Sequence, residues 1–268
     1  MKQDRLAARA DAEVWQHRPV STQDSRRKLV DSHAGLMRCY HGQTIYDEGT
    51  PVEYWHRVVS GTARRFVVRP DGRRQIIDLL LAGDVFGFGA RGSHSFTAEA
   101  IRDGTVVARY PRSRLESVAR SDTRVTQEIQ QMALAETHRL QELILILGRT
   151  TAQEKVGAFL LHLAERLAGH PADRVILPIS RYDIADYLAL SVETVSRALT
   201  SLKRNRVITF TGTRQVAILD RGAIETSNPL GQIGDRLRAQ PERMSASEPH
   251  MFDTADFGAS RAARSGGR

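Results

Sequence analysis

The spacing of hydrophobic and polar positions changes several times along this chain, and each change marks a different kind of structure. Between 41 and 110, short runs rich in β-favouring residues are broken by glycines. The runs at 43–46, 54–59, 63–68, 75–80, 96–101 and 105–110 read as strands. Asp71-Gly72 is a hairpin signal, and Gly61 and Gly83-Asp84 punctuate the others. Many short strands with closely spaced turns predict a small antiparallel barrel or roll, either a plain scaffold or a pocket for a small effector.

The period then lengthens to that of a helix. A short helix is expected over 111–119, followed by the longest helical pattern in the chain, 122–148. Along it Val125, Ile129 and Met132 continue as Leu140, Leu143, Ile144 and Leu147, with a more polar middle from Glu136 to Arg139. Such a helix would span about 39 Å at about 1.5 Å per residue, long for a small domain to cover alone. The apolar stripe predicts a dimer seam against the same helix of a second subunit. Packing within the chain against the roll can coexist with it on another face. A further amphipathic helix follows at 152–168, lined by Val156, Phe159, Leu160, Leu163 and Leu167, and Gly169-His170-Pro171 ends it. A short strand is expected at 175–177.

From Ser180 to Lys203 the pattern is two short helices joined by a tight turn. Ser180 caps the first, with Asp183 in capping-box position, and Ile184, Ala185 and Leu188 recur at helical spacing. Leu190-Ser191 marks the turn, and Ser191 is an N-cap for the second helix. There Val195, Leu199 and Leu202 fall at i, i+4 and i+7 and form the buried stripe. Glu193, Ser196 and Arg197 fall on another face near the helix N-terminus, where a helix-turn-helix recognition helix meets base edges. Arg can grip guanine O6 and N7, and Glu can accept from cytosine N4. Two β-rich runs, 207–210 and 216–219, surround Thr211-Gly212-Thr213 and predict a two-stranded wing. Lys203, Arg204, Arg206 and Arg214 supply cations for phosphates. A plain helical hairpin with a solvated face explains the first 24 residues but not the wing and the charge together. Ser180, Ser191, Thr194, Lys203 and Arg214 are the candidate DNA-backbone contacts.

The ends of the chain differ from the middle. Residues 1–35 are polar and mixed in charge and read as an N-terminal arm; 223–268 are rich in Gly, Ser, Ala, Arg and Pro without a sustained period and read as a disordered tail. The domains expected between them are a roll at 36–120, a dimerisation helix at 121–148 and a winged helix-turn-helix at 149–222.

Composition sharpens this picture. The 268 residues carry 39 Lys and Arg against 31 Asp and Glu, a net charge of +8 that favours a polyanionic partner. No apolar run approaches a membrane span and the start has no signal-peptide pattern, so a cytoplasmic protein without a membrane partner is expected. The single cysteine, Cys39, excludes an internal disulfide and an all-cysteine cluster within one chain, and nothing local marks it as reactive. No nucleotide-binding glycine loop, metal-ligand cluster or nucleophile motif supports an enzyme. An architectural binder without sequence preference would leave the Glu193, Ser196 and Arg197 face unexplained.

Three segments carry a resemblance to a known family: LLLAGDVFGFGA closing the roll, LGRTTAQEKVGAFLLHLAER, and IADYLALSVETVSRALTSLKRNRVI. Over about 36–221 the chain resembles the Crp/Fnr family of bacterial transcription regulators. Glu193, Ser196 and Arg197 match the E-x-x-S-R pattern of the Fnr branch, and 148–166 looks most like the FixK subgroup. The resemblance implies an α+β fold: an N-terminal antiparallel β-roll like a cyclic-nucleotide-binding domain, a long dimerisation helix, and a C-terminal winged helix-turn-helix. It also implies a homodimer on double-stranded DNA, RNA polymerase as partner, activation of transcription, and control of microaerobic, denitrification or nitrogen-fixation genes. The expected site is TTGAT-N4-ATCAA.

Two departures bear on cofactors. Cyclic-AMP-binding members carry Gly-Glu and then Arg-Ser or Arg-Thr; here the corresponding positions read Gly87-Phe88-Gly89 and Phe96-Thr97. A phosphate in a buried pocket needs a cation or several directed donors, so no cyclic-AMP binding is expected. One cysteine cannot supply four thiolates, so no iron–sulfur cluster is expected either. The nine histidines are dispersed, and haem, nitric oxide or another small effector of the roll stays open as the alternative.

Overall fold

A computed structural model of the chain describes residues 34–89, 92–168, 173–212 and 214–226. The expected N-terminal arm up to 33 and the tail from 227 lie outside the described residues.

Eight strands build the first half: β1 (Gly35–Cys39), β2 (Thr44–Tyr46), β3 (Tyr54–Ser60), β4 (Thr62–Val68), β5 (Arg74–Leu81), β6 (Val85–Phe86), β7 (Thr97–Ala100) and β8 (Thr105–Pro111). They form two antiparallel four-stranded sheets, ordered β1-β8-β3-β6 and β2-β7-β4-β5. Val58, Phe86 and Val107 from one sheet meet Ala63, Leu80, Ala98 and Ala100 from the other. The three alanines on one side allow close approach of the sheets. At Gly61, between β3 and β4, the backbone sits at φ +85° and an added Cβ would lie 2.5 Å from Thr105 Oγ1. Both the left-handed conformation and the contact therefore require glycine there. The β4–β5 hairpin turns at Asp71-Gly72 as its sequence predicts, with Asp71 Oδ1 accepting from the Arg73 amide at 3.0 Å.

Two strands escaped the sequence pattern. β1 pairs with β8 over its whole length, placing Cys39 opposite Thr105 inside the roll. Burial raises the Cys39 thiol above its ordinary pKa, as befits a small buried hydrophobe. β6 has two residues, too few to show a period.

Helices follow: α1 (Arg112–Ala119), α2 (Thr123–Leu147) and α3 (Ala152–Ala168). Asp122 caps α2 by accepting from the Arg124 amide. The inward side of α2 packs on its own roll: Val125 and Met132 join Trp55, Val85, Tyr110 and Leu115, while Leu143 and Ile146 join the core beneath α3. After β9 (Arg174–Ile176) come α4 (Arg181–Leu188), α5 (Val192–Arg204), β10 (Ile208–Phe210), β11 (Gln215–Ile218) and α6 (Arg221–Thr226). β9, β10 and β11 form one antiparallel sheet in the order β10-β11-β9.

α6 corrects the expectation that the disordered tail begins at 223. Ile224 is buried, and it lies over Gly157 of α3, where an added Cβ would stand 3.4 Å from Ile224 Cγ2. Arg221 adds an ion pair to Glu165. A six-residue helix with one apolar anchor carries no readable period. Among the described residues no helix is long and apolar enough to cross a membrane.

Candidate nucleic-acid interface

α4 and α5 form the expected helix pair, and their ends follow from local chemistry. Ser180 and Asp183 complete a reciprocal capping box on α4. The helix stops at Ala189 in the left-handed conformation, φ 54°, which turns the chain into Ser191. Ser191 caps α5 by accepting from the Thr194 amide at 3.1 Å. Val195, Ala198, Leu199 and Leu202 bury one side of α5.

The opposite side faces outward. Glu193 and Arg197 are exposed and Ser196 is half-buried. At about 100° per residue, Ser196, Arg197, Thr200 and Arg204 lie within about 60° of Glu193 around the axis, whereas Lys203 is about 80° away. Lys203 therefore stands on the flank, where a backbone phosphate passes, rather than in the reading face. A groove of about 360 Å³ runs along Ser196, Arg197, Thr200, Ser201 and Arg204. Thr200 and Ser201 are additions to the expected set, and Arg204, expected among the phosphate cations, lines the same groove; the helical spacing carried one turn further points to Thr200 and Arg204. The Glu193 carboxyl is held below the usual carboxylate range by its own backbone amide first and the Ser191 hydroxyl second; the pull of Arg197 is smaller than the opposing desolvation. It is an acceptor at neutral pH.

Among the expected phosphate contacts, Lys203 and Arg214 are exposed cations. Ser191 and Thr194 stand at the N-terminus of α5 with their hydroxyls 3.0 Å apart. Ser180 is different, and its assignment to the DNA backbone needs correction. Its hydroxyl donates to Asp183 Oδ2 at 2.7 Å, and its amide donates to the same oxygen at 3.1 Å. Both donors are committed to the cap, so a phosphate would have to break it.

The expected dimer seam divides in the structure. Val125, Met132 and Leu143 are covered by the chain's own roll and core, Ile129 and Leu147 pack partly against the same clusters, and Leu140 is half-buried. Ile144 is 66% exposed, as is Leu134 at 61%, which the sequence reading did not single out. Three of the seven thus have no surface left for a partner. Periodicity shows which residues share a stripe, not which neighbour covers it.

Inside the roll, charge is internally balanced. Arg65 bonds Asp78 at 2.8 Å and pairs with Glu136 of α2. Arg139 reaches Asp78 at 3.2 Å and Asp84 at 3.8 Å. Burial pushes the Glu136 carboxyl up against the pull of Arg65. Burial also opposes ionisation of Asp78, but Arg139, Arg65 and Arg166 together pull it below its ordinary value. Phe88 packs on Trp55 with ring centres 4.9 Å apart, and Arg65 lies 5.9 Å from the Phe96 ring centre. Tyr46 stacks on His94 at 3.6 Å, and His56 lies 6.3 Å from His94. Histidines that are dispersed in sequence thus meet in space, but among the described residues no three His, Cys, Asp or Glu side chains gather as a metal site.

Comparison with known proteins gives this geometry its context. Residues 37–122 match the cyclic nucleotide-binding domain, and 154–226 match the Crp-like helix-turn-helix domain. The chain is 42% identical to the nitrogen fixation regulation protein FixK of Azorhizobium caulinodans over 67% of its length and 73% of the relative's. With FixK of Rhizobium meliloti the identity is 37%, over 69% of this chain and 83% of that one. The solved structure of FixK2 from Bradyrhizobium japonicum superposes with a TM-score of 0.67 at 40% identity, covering 73% of this chain and 97% of that one. The outward polar face of α5, its wing and the roll before it are those of a regulator and not of an enzyme: the chain belongs to the Crp/Fnr family of transcription regulators and is FixK-like.

Proposed function

We propose that the chain acts as a homodimer that reads a TTGAT-N4-ATCAA palindrome through α5 and recruits RNA polymerase to activate transcription in the cytoplasm. The observation that carries this reading is the exposed Glu193, Ser196 and Arg197 face, set opposite the buried Val195, Leu199 and Leu202. Arg197 grips the guanine of TTGAT, Glu193 accepts from the cytosine paired with it, and Ser196 sits against a nearby thymine. Lys203, Arg214, Ser191 and Thr194 hold phosphates. The names of the FixK relatives support a regulon of nitrogen-fixation genes or of related microaerobic and denitrification genes. The dimer forms across the outward side of α2, on Leu134, Leu140 and Ile144.

The regulator works without cyclic AMP and without an iron–sulfur cluster. Inside the roll, Arg65 and Arg139 are each paired with two carboxylates. A cyclic phosphate reaching Arg65 or Arg139 would have to displace a carboxylate, so this part of the roll does not fit that ligand. The test of the whole reading is a gel shift at fixed salt. The palindrome should be retarded at concentrations where scrambled DNA of the same length stays free. Equal retardation of both would reduce the protein to a non-specific binder.

A further inference from the structure

The reading head is held to the roll by a cluster of side chains far apart in sequence. Arg64 on β4 pairs with Asp183 of α4 and bonds Glu99 of β7 at 2.6 Å. Arg74 on β5 reaches Asp186 at 2.9 Å and Asp183 at 3.3 Å. Gln75 donates to the Asp186 carbonyl at 2.6 Å. Both guanidiniums flank the Phe66 ring, at 5.7 and 5.6 Å from its centre. Arg64 and Asp183 are buried, so their pairing is weakly screened by salt. Asp183 divides its carboxylate: Oδ2 completes the α4 cap, and Oδ1 takes the two arginines. A single side chain therefore couples the start of the helix-turn-helix to the β4–β5 hairpin. The covalent connection is a short segment, 148–151, between α2 and α3.

We propose that Arg64, Arg74, Asp183 and Asp186 are positioning residues that set the orientation of α5 relative to the roll and α2, and thereby the half-site spacing the dimer accepts. None of them belongs to the face that reads bases. A dimer fits two half-sites only if its recognition helices are held at the matching separation and angle. One added base pair rotates a half-site by about 34° and moves it by about 3.4 Å, so a rigid attachment discriminates spacers and a loose one does not. The link to spacing rests on the homodimer and palindrome proposed above; the clamp itself does not.

Two measurements separate these. In a Cys39→Ala background, spin labels on cysteines replacing Arg73 and the exposed Arg174, in chains diluted with unlabelled protein so that a dimer carries one labelled subunit, report the roll-to-head distance without DNA. The clamped protein should give one narrow distribution. Arg64→Met and the milder Arg74→Ala should broaden it while keeping a cooperative melt, and the swap Arg74→Asp with Asp186→Arg should narrow it again. An unchanged distribution in both single variants overturns the clamp, whatever the DNA result. The same clamp substitutions, without cysteine replacements or labels, are then bound to palindromes with spacers of three, four, five and six base pairs. The parent should prefer one spacer by about tenfold or more, and Arg74→Ala should lose most of that preference while still discriminating the guanine of the half-site. Retained spacer preference despite a broadened distribution overturns the functional role. Loss of base discrimination in the parent itself would instead count against the proposed palindrome reading and leave the clamp to be judged by its distances.

Discussion

At the residue scale, Arg64 and Arg65 show how much two neighbours on a strand can differ. Successive β positions face opposite sides, so Arg65 turns into the roll toward Asp78 and Glu136 while Arg64 turns out toward Asp183. Nothing in the local sequence names those partners: Arg64 and Asp183 are 119 positions apart. His56 is similar. It is buried beside Phe86, His94 and Tyr46, and burial first, then His94 and Arg109, pull its pKa down to about 3. The unfolded chain takes up that proton near 6.5. Stability from this group is therefore complete above about pH 6.5 and is lost as the pH falls toward 3. At pH 5 the loss should reach about 2 kcal/mol. Urea unfolding at pH 7 and pH 5 should show His56→Asn losing less stability between the two than the parent. Titration of Glu136 is common to both proteins and cancels in the difference. Equal losses would place the His56 pKa near its ordinary value.

At the element scale, long and periodic stretches were legible. The roll strands from 43 to 110, the helices around α2 and α3, the capping box at Ser180 and the recognition helix all appear within a few residues of the expected limits. Short elements were not, because β6 and α6 depend on contacts rather than on a period. The long helix was found but its faces were misallocated. Its inward stripe already meets Trp55, Tyr110 and Leu115, so substitutions there unfold the roll instead of splitting a dimer. The outward positions Leu134 and Ile144 make the cleaner test. Leu134→Glu with Ile144→Glu should give monomers by sedimentation with an unchanged far-ultraviolet spectrum and much weaker binding to the palindrome. A double variant that stays dimeric would move the seam elsewhere.

At the scale of the whole molecule, the roll matches a cyclic nucleotide-binding domain in fold but carries its own neutralising carboxylates. A ligand that binds only the folded protein at a hundred times its dissociation constant raises stability by about 2.7 kcal/mol. Cyclic AMP at millimolar concentration should leave the melting temperature unchanged, and the purified protein should show no iron–sulfur absorption. A clear upward shift in melting temperature would mean that the Phe88 and Phe96 region can open for a phosphate after all. The sequence made the class of the molecule readable because roll, long helix and reading head follow one another in order. It did not reveal how the reading head docks on the roll, since that contact joins β5 to α4 across more than a hundred residues.

The central claim is that the outward face of α5 reads bases, and one measurement addresses it most directly. Arg197→Ala and Lys203→Ala are bound to the palindrome and to its single-base variants at several salt concentrations. Arg197→Ala should cost about 1–3 kcal/mol on the intact site and abolish the preference for guanine in TTGAT. Lys203→Ala should weaken every sequence alike and reduce the salt slope by about one unit. If Arg197→Ala instead loses the same affinity for every variant and lowers the salt slope, Arg197 is a phosphate contact and α5 does not read the site in the way proposed.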